Sequence, residues 1–132
     1  MERKYKVMTL QEFYAQIGGN YADTVCRLCN DSLVLRFVKK YPANPSFDEL
    51  RDAIAKSDWE TAFRAVHTLK GVAQNLGFDR LYAVSVPLTE AMRGPKPLTD
   101  PALFTAVETV HNETVAAIAK LDASPGLSFF AI

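Results

Sequence analysis

Apolar residues recur at three- and four-residue spacing along almost the whole chain, and this pattern constrains the fold more than any other feature. Such spacing is typical of amphipathic α-helices, and no segment shows the turn-bounded alternation of a strand. The pattern therefore predicts an all-α fold. Since 48% of the 132 residues are hydrophobic, the chain can bury a core of its own. We expect a single domain over residues 1–132, with a helical bundle at about 10–121.

Glycine, proline and capping residues divide the pattern into six predicted helices, at about residues 9–17, 21–40, 47–55, 59–76, 79–93 and 101–121. Asp58 fits an N-cap, and Ser46 with Glu49 fits a capping box. The short connection at Gly77 forces its two helices into an antiparallel hairpin. We therefore predict an antiparallel four-helix bundle with short additional N-terminal helices, in which the segment 21–40 is the first long helix.

Two segments depart from this regular pattern. Pro87 lies well inside the predicted helix 79–93, where it removes a backbone hydrogen bond and clashes with the carbonyl of Ala83. We therefore predict a kink or a break at Pro87. The tail from Ser124 to Ile132 has no helical period, and the sequence leaves open whether it is ordered.

The charge and cysteine content restrict the class of partner and the compartment. Lys and Arg together number 15, as do Asp and Glu, so we expect a protein partner and no nucleic acid. Cys26 and Cys29 are too few for a secreted disulfide scaffold and lie in a predicted helix without the setting of a redox or zinc motif; their role stays open. No segment suits a signal peptide or a membrane span, so we expect a cytoplasmic protein.

The predicted helix 59–76 carries the most informative residues. Its apolar side chains cluster in one narrow arc, which we expect to face the core: Trp59, Ala62, Val66, Leu69, Ala73 and Leu76. His67 lies about 120° from the centre of this arc. Lys70, Gly71 and Gln74 follow on the same flank, and Arg64 lies one turn earlier. One helix face therefore offers an imidazole, cations on both sides and a patch of bare backbone.

This combination suits phosphoryl transfer. A neutral imidazole is a nucleophile whose phosphoramidate can pass the group on, and Lys70 can neutralise the phosphoryl oxygens. Gly71 costs a helix about 1 kcal/mol relative to alanine, a cost that close approach of a partner would explain. The spacing alone also fits an ordinary surface histidine beside a solvated lysine.

The run His67-Thr68-Leu69-Lys70-Gly71, continued by Leu76-Gly77, resembles the signature His-x-Leu-Lys-Gly-x-x-x-x-Leu-Gly of the histidine-containing phosphotransfer (HPt) domain family. The resemblance implies a phosphocarrier of a multistep phosphorelay, with the phosphoryl group on Nε2 of His67 beside Lys70. It implies partner contacts at Gly71 and in an apolar patch around the histidine, for which Phe63 is a candidate. We also expect partner contacts at Arg64 and Gln74.

The resemblance further implies that receiver domains of response regulators are the partners, with a hybrid histidine kinase as a further candidate. Mg²⁺ would be held by the receiver, and this chain would need no cofactor, metal or ATP site of its own. A weaker carry-over places a polar partner for the imidazole near Thr89, with Ser85 and Glu90 as neighbours. We expect a monomer, because one bundle covers its own apolar faces.

Two alternatives stay open. One is a helical adaptor that binds receivers or kinases without carrying phosphate, although such a protein would not need both His67 and Lys70. The other is a phosphoaccepting domain of a larger kinase: Met1 and the absence of a linker favour a free-standing protein, whereas the tail favours a fragment. His111 is expected to be a surface residue of the last helix, and no phosphate-binding loop is present.

Overall fold

The computed structural model describes residues 8–122, and within them the chain is helical without strands. Seven α-helices follow one another, and a single 3₁₀ turn at Tyr41–Ala43 joins the third to the fourth. Their bounds are α1 Leu10–Ile17, α2 Tyr21–Leu28, α3 Asp31–Lys40, α4 Ser46–Ala55, α5 Trp59–Leu76, α6 Asp79–Ala91 and α7 Pro101–Asp122. The predicted all-α fold is confirmed.

The core lies between α4, α5, α6 and α7, which pack as successive neighbours, with α1 and α3 against the outer side of α7. Phe47 of α4 stacks on Phe104 of α7, so that the first and last of these four helices also meet. The N-terminal helices are part of the same core, since Phe13 and Tyr14 are fully buried and contact the ring of Phe78. The structure is therefore a four-helix bundle with short additional N-terminal helices, as predicted.

The prediction of one continuous helix over residues 21–40 is wrong. The chain breaks after Leu28, where Cys29 adopts a left-handed conformation with φ of 76°. Asn30 then accepts a hydrogen bond from the backbone N–H of Leu33 at 2.7 Å and caps α3. An asparagine followed by Asp31 is a helix start signal, and it ends the preceding helix here.

The start of α4 also differs from the prediction. Ser46 is the first residue of the helix, it is buried, and its side chain makes no capping hydrogen bond. Its backbone N–H donates instead to Oδ1 of Asn44 at 2.9 Å. The predicted capping box with Glu49 is therefore absent, because Asn44 supplies the acceptor that the Glu49 side chain was expected to provide, and the Glu49 N–H donates to the Pro45 carbonyl at 2.9 Å.

Helix α6 continues through Pro87 without a break. Both Pro87 and Ala83, whose carbonyl loses its helical partner, are exposed. Water can therefore solvate that carbonyl, which lowers the cost of a proline at this position. The helix ends at Ala91, two residues before the predicted end.

The C-terminal end of α5 is held by the N-terminal helices. Its last carbonyls have no partners within the helix, and side chains of α1 and α2 supply donors. The Tyr14 hydroxyl donates to the Leu76 carbonyl at 2.6 Å, and the Thr24 hydroxyl to the same oxygen at 3.3 Å. The Arg27 guanidinium donates to the carbonyls of Asn75 at 2.9 Å and Gln74 at 3.3 Å.

His111 is not the surface residue that the sequence suggested. Its ring stacks on Phe47 at a centroid distance of 4.0 Å, and its Nδ1 lies 2.7 Å from the hydroxyl of Tyr41. The residue is half-buried, and burial lowers the pKa of the imidazole. The sequence missed this contact because all its partners come from distant parts of the chain.

Candidate functional site

Helix α5 positions the candidate site. The Asp58 carboxylate caps its start by accepting from the Thr61 N–H at 3.2 Å, and Gly77 ends it in a left-handed conformation with φ of 72°. Hydrogen bonding to Thr61 lowers the pKa of Asp58, so the cap is charged and complements the helix dipole. The predicted core arc is buried, except that Trp59 is half-buried.

His67 lies near the middle of α5 and is exposed. Its ring makes no hydrogen bond to another residue of the described part of the chain. The ring of Phe63 lies one turn earlier, with its centroid 6.0 Å from that of the imidazole and tilted by 44°. Lys70, one turn later, is half-buried. The imidazole is therefore supported from one side and open to solvent on the other.

The C-terminal part of α6 and the residues just after it add two charged residues: Glu90, which the sequence singled out only as a neighbour of Thr89, and Arg93, which it did not place in the site. The guanidinium of Arg93 bonds both carboxylate oxygens of Glu90, at 2.8 and 2.9 Å, and its Cζ lies 5.4 Å from the centre of the Phe63 ring. This hydrogen bonding is the main cause that lowers the pKa of Glu90, and the charges of Lys70 and His67 contribute to it. Glu90 and Arg93 therefore border the site.

The weaker expectation of a polar partner near Thr89 finds no support in the geometry. Thr89 and Ser85 are fully buried, and each hydroxyl donates to the carbonyl four residues earlier in α6. Glu90, the third residue of that group, is the one that faces the site. The hairpin connection at Gly77 brings this part of α6 opposite His67. Which polar residue of α6 then faces His67 depends on the register between the two helices, which the sequence does not show.

The remaining predicted residues lie on the exposed side of α5. Gly71 is exposed. A Cβ added at this position would have no atom within 4 Å, apart from its two chain neighbours and the backbone of its own helix. Arg64 and Gln74 are exposed one turn before and two turns after His67, whereas Phe63 is half-buried and also packs against the core. The structure therefore brings all six predicted residues to one side of one helix.

In residues 8–122, no group of three or more His, Cys, Asp or Glu residues could hold a metal ion. Both cysteines are exposed and free. None of the helices just described is long and apolar enough to cross a bilayer.

Comparison with known proteins gives one match. The model of the Hpt domain family matches residues 43–123, which is more than half of the chain. Searches of curated proteins and of solved structures found no match. The matched residues include His67, the adjoining Lys70 and Gly71, and all four helices of the bundle. The chain therefore belongs to the Hpt domain family and has a role in histidine phosphotransfer within two-component signalling.

Proposed function

We propose that this protein carries a phosphoryl group on His67 between the aspartates of receiver domains in a multistep phosphorelay. One observation supports this choice of residue above all others. The chain has two histidines, and His111 is packed against Phe47 and bonded to Tyr41. His67 is the exposed one, and a receiver domain can reach it.

The proposed transfer needs only a nucleophilic nitrogen from this chain. The lone pair of Nε2 of His67 attacks the phosphorus of the receiver's aspartyl phosphate, and the new N–P bond forms as the P–O bond to the carboxylate breaks. The aspartate leaves with the bonding electron pair, and Nδ1 keeps its proton. The reverse reaction transfers the group to the next receiver.

The neighbouring cations stabilise the charge that arrives with the phosphoryl group. Lys70 lies one turn from His67 and supplies a mobile ammonium group, which can follow the phosphoryl oxygens as they move. Arg64 lies one turn on the other side and adds positive potential. The negative charge of Glu90 reduces this positive potential, but the ion pair of Glu90 with Arg93 offsets much of the reduction. The site thus attracts the phosphoryl group without binding it rigidly.

The proposal extends to partners and cofactors. Receiver domains of response regulators would exchange phosphate with His67, and a hybrid histidine kinase is a further candidate partner. We propose that Mg²⁺ and most catalytic groups belong to the receiver, so that this chain acts as a cytoplasmic, monomeric carrier without a cofactor, a metal or an ATP site. Gly71 and Gln74 would lie beneath the bound receiver, with Phe63 at its edge.

Phosphoryl transfer from a phosphorylated receiver to the wild-type protein and to His67→Gln tests the proposal. We expect label on the wild-type protein only, lost in acid and retained in base, as is typical of a phosphoramidate. Receiver binding without any labelling would contradict the carrier function and favour the adaptor alternative. His111→Gln serves as a control, because it removes the other histidine of the chain and leaves the exposed nucleophile and its neighbouring charges in place.

A further inference from the structure

Arg27 of α2 is fixed at the end of the helix that carries His67. Its two terminal nitrogens bond the carbonyls of Asn75 and Gln74, and its Nε lies 3.3 Å from the carboxylate of Asp23. These contacts restrict the guanidinium, yet 37% of the side chain is exposed. Arg27 therefore presents a pre-organised positive charge beside the surface of α5.

An open depression of about 930 Å³ lies between this arginine and the site. Its lining includes Thr68, Gly71 and Val72 of α5 and Asp23 and Arg27 of α2. One water molecule occupies about 30 Å³ in the liquid, so the depression has room for several side chains of a partner. It therefore fits a convex element, such as a loop or a helix of a docked domain.

Phe37 of α3 lies beside the C-terminal part of α5, across Val72 and Asn75 from Arg27. It is 37% exposed, which makes it the one large exposed hydrophobic residue among residues 8–122. A second depression beside it shares Val72 and Asn75 with the first. Arg27 and Phe37 thus border one continuous surface, which begins at Thr68, the residue after His67, and follows α5 to its C-terminal end.

An interface of ordinary size, centred on His67, is wide enough to extend to the C-terminal end of α5. A standard complex buries about 800 Å² on each partner, which corresponds to a disc of about 16 Å radius. Asn75 is eight residues from His67, or about 12 Å along the helix axis. A receiver centred on His67 therefore covers the turn of α5 that contacts Arg27 and borders Phe37.

We propose that Arg27 and Phe37 determine which receiver domains this protein binds, an inference that rests on the proposed function. Both residues lie outside the region that matches the family, residues 43–123. The matched region supplies the phosphoryl chemistry, whereas α2 and α3 supply a charged anchor and an apolar anchor at the edge of the interface. Buried aromatic and arginine side chains are the residues that most often dominate interface energies.

Receiver affinity and phosphotransfer, measured separately, test this assignment. The variants are Arg27→Ala and Phe37→Ala, compared for a cognate receiver and a non-cognate receiver. We expect the dissociation constant for the cognate receiver to rise about 10-fold in each variant, a loss of about 1.4 kcal/mol, and that for the non-cognate receiver to rise less than threefold. The transfer rate at saturating receiver should change less than twofold, because neither residue touches His67.

Two matched controls remove similar side chains elsewhere. Arg51→Ala removes an exposed arginine of α4 that lies against Phe47, and Leu35→Ala removes an apolar residue of α3 that borders a depression next to α1. Neither control should change receiver affinity. Thermal unfolding shows whether Arg27→Ala loosens α5, and Arg27→Lys, which keeps the charge, should retain more affinity than Arg27→Ala.

The outcomes separate this inference from the carrier function. Unchanged affinity in both variants, or equal losses for both receivers, overturns the inference even if His67 is labelled normally. Selective loss of affinity together with absence of labelling supports the surface and contradicts the carrier function.

Discussion

The hydroxyl of Tyr14 in α1 donates a hydrogen bond of 2.6 Å to the carbonyl of Leu76, the last residue of the histidine-bearing helix α5. Tyr14 is fully buried, and burial raises the pKa of its hydroxyl to about 12. The hydroxyl is therefore a neutral donor at physiological pH. Through this contact, a helix outside the matched family region stabilises the end of the helix that carries the site.

We expect Tyr14→Phe to lower the free energy of unfolding by about 1–2 kcal/mol, because the Leu76 carbonyl loses its shorter hydrogen bond inside the core. Urea denaturation measures the change. Tyr82→Phe is the control, since Tyr82 is half-buried and its hydroxyl makes no hydrogen bond within residues 8–122, and it should change stability by less than about 0.5 kcal/mol. Equal effects of the two substitutions would contradict the role of this contact.

Gly71 gives a prediction in which stability and activity change in opposite directions. A Cβ at this position meets no neighbouring atom within 4 Å, and alanine stabilises a helix by about 1 kcal/mol relative to glycine. Gly71→Ala should therefore raise the unfolding free energy by about that amount. Gly71→Gln should fold equally well but transfer phosphate at least about 10-fold more slowly, because its side chain occupies the space that a receiver needs.

Denaturation and single-turnover transfer, measured on the same samples, test this pair of expectations. Gly94→Gln is unsuitable as a control because Gly94 has a positive φ of 107°. Ala119→Gln is suitable, since it adds the same side chain at an exposed position of α7, away from the helix that carries His67. A Gly71→Gln variant with the wild-type transfer rate would contradict the proposed approach of the receiver over Gly71.

Cys29 ends α2 in a left-handed conformation that costs a residue with a Cβ about 1 kcal/mol. Cys29→Gly should therefore stabilise the protein by about 1 kcal/mol, or slightly less because glycine adds freedom to the unfolded chain. Cys26→Gly, inside α2, should destabilise it by about 0.5 kcal/mol, since cysteine is a weak helix former and glycine a weaker one. Thermal unfolding under reducing conditions measures both, and changes of the same sign would show that the left-handed conformation is not a source of strain.

The sequence predicted those features that depend on neighbouring residues in the chain. Asp58 and Gly77 mark the ends of α5, because a cap and a left-handed glycine act locally, and the apolar period placed His67 outside the core arc. The break at Cys29 was missed because an apolar period continued across it, although Asn30 carried a start signal. The predicted capping box at Ser46 does not form, because the side chain of Asn44, and not that of Glu49, accepts a hydrogen bond from the backbone N–H of Ser46.

Contacts between distant segments could not be predicted in this way. Glu90 and Arg93 reach the site only because the α5–α6 hairpin has a particular register, and one polar residue of α6 looks like another until that register is known. His111 was expected to be a surface residue of the last helix. Its burial depends on Phe47 and Tyr41, which the chain brings to it from more than 60 residues away.

Glu90 should oppose phosphorylation of His67. Its carboxylate is close enough to interact with both His67 and Lys70, and a phosphoryl group on the histidine adds negative charge beside it. Glu90→Gln should therefore shift the phosphoryl equilibrium between receiver and carrier toward His67 by about twofold to fivefold at low salt, and less at 1 M salt. Glu113→Gln, which removes an acid paired with Arg80 on the other side of the bundle, should leave the equilibrium unchanged. A shift in the opposite direction for Glu90→Gln would mean that the carboxylate assists the transfer.

His111 should make the stability of the protein depend on pH. Burial lowers the pKa of its imidazole in the folded state, so the unfolded chain binds the proton more readily. The stability that the neutral ring contributes is present above the unfolded pKa of about 6.5 and is lost as the pH falls below it toward the folded pKa. The charged residues nearest the ring, Asp48 and Arg51, shift this pKa in opposite directions.

We therefore expect the melting temperature to fall more between pH 7.5 and pH 5.5 in the wild-type protein than in His111→Gln. Tyr41→Phe, which removes the hydrogen bond to Nδ1 but keeps the ring buried, should retain the wild-type pH dependence, and a flat profile in that variant would assign the effect to the hydrogen bond instead of to burial.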